Sequence, residues 1–456
     1  MNHFKFTIEN FRCFAEMQTL ELGQPEVGKA GSGITYIVGA NNSGKTTVIE
    51  GLWLKKGQYL NDSERKTPQT QLPEFKLYSD NTTVKKTVKL LRANAYLFIE
   101  DPDRANDSEL FEIVSSRRHW ESTANGTDST SNIVAASAIG GNPRTQQNVQ
   151  TAIFLKAIES DPTKYTDFTN LVKRVIPEFT GWAVGFESHP YIKYISSDGT
   201  NHKADFLGDG VISIIRILAH LFEARDTGLI IDEPELSLHP LAQKRLIKLI
   251  AEYAEKRQII ISTHSPYFVS WEYIANGAKL NRVTKVGDTN SKIFTLGTPT
   301  KYSSLVNGAN WQQPFLMDEV AKEIFFANDK ILFLEGQEDV GLLRNEFQNS
   351  DINLFGYGVR GYTNFKFALA MAKDLGFEKV GAILDKGTNE DLVLAELTQL
   401  FNSYKVVQWN KSDIRDKPET TYPPKEGYFD QSGNKKSTGL LDDYEAKIDT
   451  IKDYFN

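Results

Sequence analysis

The chain opens on "FKFTIENFRCF", where apolar and polar residues alternate as on a strand with one buried face. "GITYIVGANNSGKTTVIEGLW" follows: an apolar run, a glycine-rich turn, then apolar positions at helical spacing, which predicts strand, loop and helix. Residues 61 to 150 are polar. Within them "SDNTT", "STANGTDSTSN" and "GGNPRTQQN" read as exposed connections around "TVKLLRANAYLFIED", which predicts a strand. "QTAIFLKAIES" and "FTNLVKRVIPEF" have helical spacing, and "YIKYISSDGTNHKADF" predicts a β-hairpin. The pattern then predicts a helix over 211–225, a strand over 228–232, a helix over 240–256 and a strand over 258–262. It loosens around 300–326, where "KYSSLVNGANWQQP" reads as a boundary. A second alternation follows: strand 331–334, helix 338–346, strand 352–355, helix 363–375, strand 379–384 and helix 389–401. Such alternation predicts α/β sheets covered by helices. The expected organisation is a first α/β domain over 1–300 with a compact insertion at about 55–200, a linker over 301–326, and a smaller α/β domain over 327–456.

Composition narrows the class. With 456 residues, 40% hydrophobic and 24% charged, the chain can build more than one soluble core. No apolar run reaches the roughly 18 residues that a membrane span needs, and the N-terminus lacks the apolar core of a secretory signal, so a cytoplasmic protein is expected. A single cysteine, Cys13, excludes an intramolecular disulfide and reads as a small buried apolar residue. The seven histidines lack zinc-site spacing. The net charge of −7 and pI of about 5.7 are unlike a nonspecific nucleic-acid coat protein, while leaving room for a local basic groove.

Three motifs carry chemistry in the first domain. "GANNSGKT", Gly39 to Thr46, fits G-x-x-x-x-G-K-[ST] between a strand and a helix. Backbone N–H groups of Gly39, Asn41, Asn42, Ser43 and Gly44, with those of Thr46 and Thr47 at the helix start, would cradle phosphates. Lys45 would reach the β and γ phosphates and Thr46 would ligate Mg²⁺. "GLIIDEPELSLHP" is an apolar strand that delivers Asp232 and Glu233 at its end. Asp232 is expected to hold Mg²⁺, and Glu233 to act as base or to orient water. "IIISTHSP" ends a further strand at Thr263 and His264, and His264 is placed to sense the γ-phosphate.

In this order the motifs resemble the ATP-binding-cassette ATPase head, in the branch that includes the SMC proteins. "SLHP", Ser237 to Pro240, is similar to that branch's D-loop, and His264 to its switch histidine. Its Leu-Ser-Gly-Gly signature corresponds here to Leu207, Gly208, Asp209 and Gly210, with Gly208 and Gly210 implied in nucleotide binding. The resemblance implies a homodimer or higher oligomer through the heads, with ATP between the loop of one and the signature of the other. The stretch between Lys45 and Leu207 is too short and too poor in heptads for a long coiled-coil arm. No Q-loop glutamine is assigned. Arg117 and Arg118 read either as a basic contact to nucleotide or DNA or as a solvated pair.

"ILFLEGQEDVGLL" places a second acidic group, Glu335 with Glu338 and Asp339, after an apolar strand. Head followed by "FLEGQED" resembles the overcoming-lysogenization-defect (OLD) family, in which such a head is fused to a Toprim domain. The resemblance implies that Glu335, Asp339 and Asp385 bind Mg²⁺, with Mn²⁺ as a substitute, for phosphodiester cleavage. In "VGAILDKGTNED", Asp385 matches the first acid of the family's second motif, but Gly387 stands where the family has the next. Glu390 and Asp391 are open to two readings: substitutes for that acid, or charges favoured at a helix N-terminus. Gly356, Gly358 and Gly361 shape a loop beside the metal or are ordinary turn residues. The family's late lysine corresponds by position to Lys435 or Lys436, and a solvated pair is the alternative. The expected function is an ATP-hydrolysing, OLD-like, metal-dependent DNA nuclease, acting in bacterial defence against phage, as in retron-type systems, and controlled by a protein or nucleic-acid partner. The alternative is a nucleotide-switched module that binds DNA or an effector through a non-catalytic Toprim-like domain.

Overall fold

The computed structural model describes residues 3–53, 59–61, 73–78, 83–92, 96–100, 111–115, 143–186, 190–195, 199–203, 209–223, 227–287, 290–297, 322–327, 330–348, 350–356, 364–417, 424–437 and 441–456. The chain divides into two compact units, Met1–Ile293 and Phe294–Asn456. Most of 301–326, with its "KYSSLVNGANWQQP", lies outside the described residues, as do Arg117 and Arg118.

In the first unit, the sheet that carries the motifs contains β3 (Ile34–Val38), β8 (Phe111–Val114), β12 (Gly228–Asp232), β13 (Ile259–Ser262), β14 (Lys279–Val286) and β15 (Asn290–Thr295). Its order is β15-β14-β3-β13-β12-β8, and β14, β3, β13, β12 and β8 run parallel. All five residues of β3 and all four of β13 are buried, as expected of parallel strands covered on both faces. α1 (Lys45–Trp53) leaves β3 and buries Val48, Ile49 and Leu52 against this sheet. α4 (Asp209–Phe222) and α5 (Pro240–Tyr253) flank β12, and Ile214, Ile215, Ile217 and Leu218 of α4 are almost fully buried.

A second sheet of the same unit is antiparallel, in the order β2-β1-β5-β6-β7-β4. Its strands are β1 (Lys5–Glu9), β2 (Gln18–Glu21), β4 (Tyr59–Asn61), β5 (Glu74–Tyr78), β6 (Thr83–Arg92) and β7 (Tyr96–Glu100). "TVKLLRANAYLFIED" thus supplies β6 and β7, a pair of strands where the pattern predicts one. α2 (Pro143–Glu159) and α3 (Pro162–Val175) have the expected helical spacing, and α3 stops before Ile176-Pro177, since a proline disfavours the helical conformation of the residue before it. β9 (Gly181–Phe186), β10 (Pro190–Ile195) and β11 (Asn201–Lys203) form a third, antiparallel sheet. The pairing Ile195↔Asn201 sits where the hairpin is expected.

The second unit is built on four parallel strands in the order β17-β16-β18-β19: β16 (Lys330–Phe333), β17 (Asn353–Phe355), β18 (Lys379–Leu384) and β19 (Lys405–Gln408). α7 (Gln337–Phe347), α8 (Phe365–Asp374), α9 (Thr388–Leu400) and the terminal α10 (Asp442–Phe455) accompany them; α6 (Trp271–Ala275) belongs to the first unit. Leu332, Leu343, Ile383, Trp409, Tyr428, Tyr444 and Ile451 share one core, in which Trp409 stacks on Tyr444 at 5.4 Å. No described helix is long and apolar enough to cross a membrane.

Ile260 is 1% exposed at the centre of β13, while Leu392 on α9 is 72% exposed. Ile260→Ala is expected to destabilise the first unit by about 2–5 kcal/mol through lost transfer energy and a residual cavity. Leu392→Ala is expected to stay within about 0.5 kcal/mol. Chemical denaturation of the two variants measures the contrast.

Candidate functional site

β3 delivers the chain to Gly39, whose φ of 142° suits glycine, and a Cβ there would collide with the Val283 carbonyl of β14. Gly44 has φ 112°, and its Cβ would lie 2.7 Å from Cys13 Sγ. Between them Ala40, Asn41 and Asn42 are exposed, Ser43 is buried, and Asn42 takes a φ of 61°. α1 begins at Lys45, so the N–H groups of its first turn lack carbonyl partners within the helix. Lys45 Nζ donates to Gly39 O at 3.0 Å and Ala40 O at 2.9 Å. Ser43 Oγ is buried without a hydrogen-bond partner among the described residues. Open N–H groups, an orphaned hydroxyl and a lysine held only by carbonyls fit an anionic phosphate chain. Burial lowers Lys45 to about 8, opposed by the nearby carboxylates of Glu233, Asp232 and Glu235.

Register brings the other motifs to the same edge. Ile37 pairs with Ser262, and Ser262 with Asp232, so β3, β13 and β12 end side by side. The ladder continues past the strands through Thr263 N to Ile37 O at 3.2 Å and Glu233 N to Ser262 O at 2.8 Å. Glu233 takes a φ of 47°, unusual for a non-glycine residue and of the kind that a surrounding framework must enforce. Its Oε1 lies 3.7 Å from His264 Nε2. Burial, and then the Lys45 ammonium, push His264 down to about 4, so the ring is neutral at ordinary pH. Thr46 is exposed and Asp232 buried. They offer a hydroxyl and a carboxylate oxygen, donor types that Mg²⁺ takes, and Thr47 is buried beside them in α1.

The histidine loop is fastened by a residue that the sequence did not single out. Glu235 Oε1 accepts from His264 N at 2.6 Å and Glu235 Oε2 from Thr263 Oγ1 at 2.9 Å. Ser237 has φ 61°, and Gly210, in the first turn of α4, is packed so closely on the Ser237 carbonyl that a Cβ would collide with it. The end of the signature-like stretch is therefore pressed on the turn after Glu233. Leu207 and Gly208 lie outside the described residues.

In the second unit, β16 and β18 are neighbours in parallel register, Phe333↔Ala382, and deliver Glu335 and Asp385 together. Asp385 N donates to Glu335 Oε1 at 2.9 Å. Asp339 lies near enough for its charge to act on Asp385, and one of its oxygens, Oδ2, accepts from Gly336 N at 3.1 Å, capping α7. Burial, and then the charges of Glu335, Asp339 and Asp413, raise Asp385 to about 9. Burial raises Asp339 to about 7, against the Gly336 N–H, and also raises Glu335. A Cβ on Gly387 would meet the Glu390 carboxylate, its Cδ at 2.8 Å, so Glu390 fills the room that a side chain at 387 would need. Asp391 N donates to Gly387 O within the first turn of α9. Gly356 is pressed on the Gly336 carbonyl, and Gly358 and Gly361 lie outside the described residues.

The expected late lysines are engaged elsewhere. Lys435 Nζ donates to Glu346 Oε1 at 3.1 Å and sits over the Tyr444 ring, and Lys436 Nζ donates to Asp416 Oδ1 at 2.7 Å. The cation beside the acids is Lys425, whose Nζ is 4.0 Å from Asp385 Oδ2. It is held by Asp413 at 3.1 Å, a buried carboxylate that also binds Lys417 at 2.5 Å. Arg415 and Lys417 both pair with Glu338. The reason is the paired tail, where bridges Lys417↔Lys425 and Arg415↔Phe429 return the chain past Asp413. Glu335 and Asp385 are hard oxygen donors of the kind that Mg²⁺ uses, one or two at a time with water filling the rest. No group of three His, Cys, Asp or Glu side chains converges as a metal cage among the described residues.

Comparisons with known proteins follow the same division. A family described as "AAA ATPase domain" matches residues 1–113, and one described as "AAA domain, putative AbiEii toxin, Type IV TA system" matches 59–270. Both matches fall within the first unit, which is therefore similar to ATPase domains of the AAA type. An OLD nuclease of Thermus scotoductus is 33% identical over 157 residues, which are 32% of this chain and 28% of that protein. An uncharacterised protein of Methanocaldococcus jannaschii is 23% identical over 212 residues, 46% of this chain and 24% of that one. The chain thus spans about a quarter of the length of these curated relatives. Among solved structures, the SMC head domain of Thermotoga maritima aligns with 65% of this chain and 100% of its own at 15% identity and a TM-score of 0.37. A Pyrococcus furiosus Smc head with an extended coiled coil, bound to the C-terminal domain of ScpA, aligns with 67% and 99% at 12% identity and 0.45.

His264 is expected to show no imidazole titration between about pH 5 and 8, where an unperturbed ring with a pKa near 6.5 would titrate. Lys45→Met removes one of the two causes and should move its pKa upward. Proton NMR of the imidazole in the two proteins checks both the baseline and the sign.

Proposed function

We propose that this protein is an ATP-hydrolysing, OLD-like nuclease whose second unit is a Toprim-like domain that cleaves DNA. The observation that carries the cleavage reading is the Asp385 N–H···Glu335 contact, which ties the Glu335 carboxylate to the backbone of a second acidic residue at the neighbouring strand end, with Lys425 beside Asp385. In the first unit, Lys45 and the N–H groups of the loop bind the triphosphate. Glu233 accepts the proton of, or orients, the attacking water, and neutral His264 donates a hydrogen bond toward the γ-phosphate. Thr46 and Asp232 would hold Mg²⁺, which neutralises phosphate charge. A second copy of the chain completes the nucleotide site, in keeping with the exposed turn at Leu236 and Ser237 and the start of α4 packed beneath it.

In the second unit, Glu335 and Asp385 would hold Mg²⁺ or Mn²⁺, which polarises a phosphodiester. Lys425, oriented by Asp413, attracts the same phosphate. The toxin wording of one matching family and the OLD nuclease match support a role in bacterial defence against phage, with a protein or nucleic-acid partner restraining the nuclease. A second reading, a nucleotide-switched module that binds DNA or an effector without cutting it, is favoured by Asp339 serving as a cap and by Gly387 lacking a carboxylate.

Glu233→Gln is expected to bind ATP and to lose hydrolysis by about 10²-fold or more, the range of a lost general base; filter binding and phosphate release measure the two separately. Plasmid incubated with Mg²⁺ or Mn²⁺ should be nicked by the wild type and not by Glu335→Ala, with Lys425→Ala strongly impaired and Lys435→Ala near wild type. Cutting that survives Glu335→Ala sinks the nuclease assignment, and absence of cutting with every metal, nucleotide and DNA form tested favours the binding module.

A further inference from the structure

The turn after Glu233 and the loop that carries His264 are joined by a closed circuit of hydrogen bonds. Glu235 accepts from His264 N and Thr263 Oγ1. Thr263 Oγ1 in turn accepts from Ser265 N at 3.0 Å. Ser265 Oγ donates to Gln243 Oε1 at 2.6 Å, and Gln243 Nε2 donates to Leu238 O at 2.8 Å. Leu238 N donates to Glu235 O at 3.0 Å and closes the ring. Thr263, Ser265 and Gln243 are buried, at 0%, 8% and 7% exposure, so these bonds are shielded from competition with water. None of these side chains is needed for phosphate contact in the reading above, yet the circuit spans the short interval between Glu233 and His264.

We propose that Glu235 is a positioning residue for ATP hydrolysis. Its carboxylate locks the histidine loop to the turn that follows Glu233, and the ring through Ser265 and Gln243 keeps Glu233 and His264 at their 3.7 Å separation. Geometry supports the assignment twice over. Glu233 sits at a positive φ that needs outside support, and the residue two positions on supplies the tie. His264 is tied through its backbone N–H, so this tie takes up no atom of the imidazole. The same ring passes through Leu238, next to the Ser237 carbonyl on which Gly210 rests, so a push on that turn from a second copy would be felt at His264. Burial raises the Glu235 carboxyl, opposed by its bonds to His264 N–H and Thr263.

The experiment uses the full chain and ATP. Glu235→Ala should lower kcat for ATP hydrolysis by about tenfold or more, as displaced reacting groups do, with KM and the affinity for a fluorescent ATP analogue changed less than about threefold. Glu235→Gln still accepts from His264 N and should recover most of the lost kcat. Gln243→Leu, which breaks the ring away from the phosphates, should lower kcat in the same direction and leave ATP affinity in place. If Glu235→Ala is folded by its thermal transition and keeps kcat within about twofold of wild type, the proposal is overturned. It is equally overturned if Glu235→Gln is as damaged as Glu235→Ala, because the negative charge and not the tie would then be what matters. Should Glu235→Ala fail to fold, the glutamine and Gln243→Leu variants decide: wild-type kcat in Gln243→Leu rejects the ring.

Discussion

Parallel pairing of β3, β13 and β12 is the constraint on which the nucleotide site depends. The register Ile37↔Ser262↔Asp232 puts the phosphate loop, the histidine loop and the acidic turn at one edge, although nearly two hundred residues separate the first motif from the second in sequence. β3 and β13 are buried along their whole length, so an offset would leave ladder N–H and C=O groups unpaired where water cannot replace the lost partners. The second unit repeats the device on a smaller scale, with β16 and β18 placing Glu335 against Asp385. In both units the candidate residues gather where adjacent parallel strands end, the position at which open α/β sheets bind ligands.

What could be read from the sequence is what is contiguous in it. "GANNSGKT" carries its own geometry, because the turn, the lysine and the helix start are neighbours along the chain. The strands ending in Asp232, Ser262, Glu335 and Asp385 were legible from unbroken apolar runs. Glu235, Ser265 and Gln243 were not, since their meaning lies in bonds between three separate segments, and Glu235 alone looks like one more solvated acid in "DEPELSLHP". The tail shows the opposite error. Position near the end of the chain points to Lys435 and Lys436, whereas the bridges Arg415↔Phe429 and Lys417↔Lys425 bring Lys425 to within 4.0 Å of Asp385. Hydrophobic periodicity carries no signal for such irregular bridges. Within the stretch expected as an insertion at about 55–200, β4–β7 extend the antiparallel sheet of β1 and β2, β8 edges the motif sheet, and "PRTQQN" opens α2 where a connection is expected, while "STANGTDSTSN" falls outside the described residues.

Two contacts shape the acidic group of the second unit. Asp339 spends its carboxylate on the N-terminus of α7, a stabilising use that competes with ligation. Glu390, in the first turn of α9, occupies the space that a side chain at Gly387 would need. Between these two facts lies the difference between a cutting domain and a binding one.

Gly39 and Gly44 have a consequence for how the loop meets its ligand. One has its backbone against the Val283 carbonyl and the other against Cys13, which lies between β1 and β2. The loop is thus backed by β14 on one side and by the β1–β2 connection on the other, and a side chain at either glycine would collide with its wall. A triphosphate bound as proposed would enter a mould already set, with the Lys45 ammonium exchanging the carbonyl oxygens of Gly39 and Ala40 for phosphate ones.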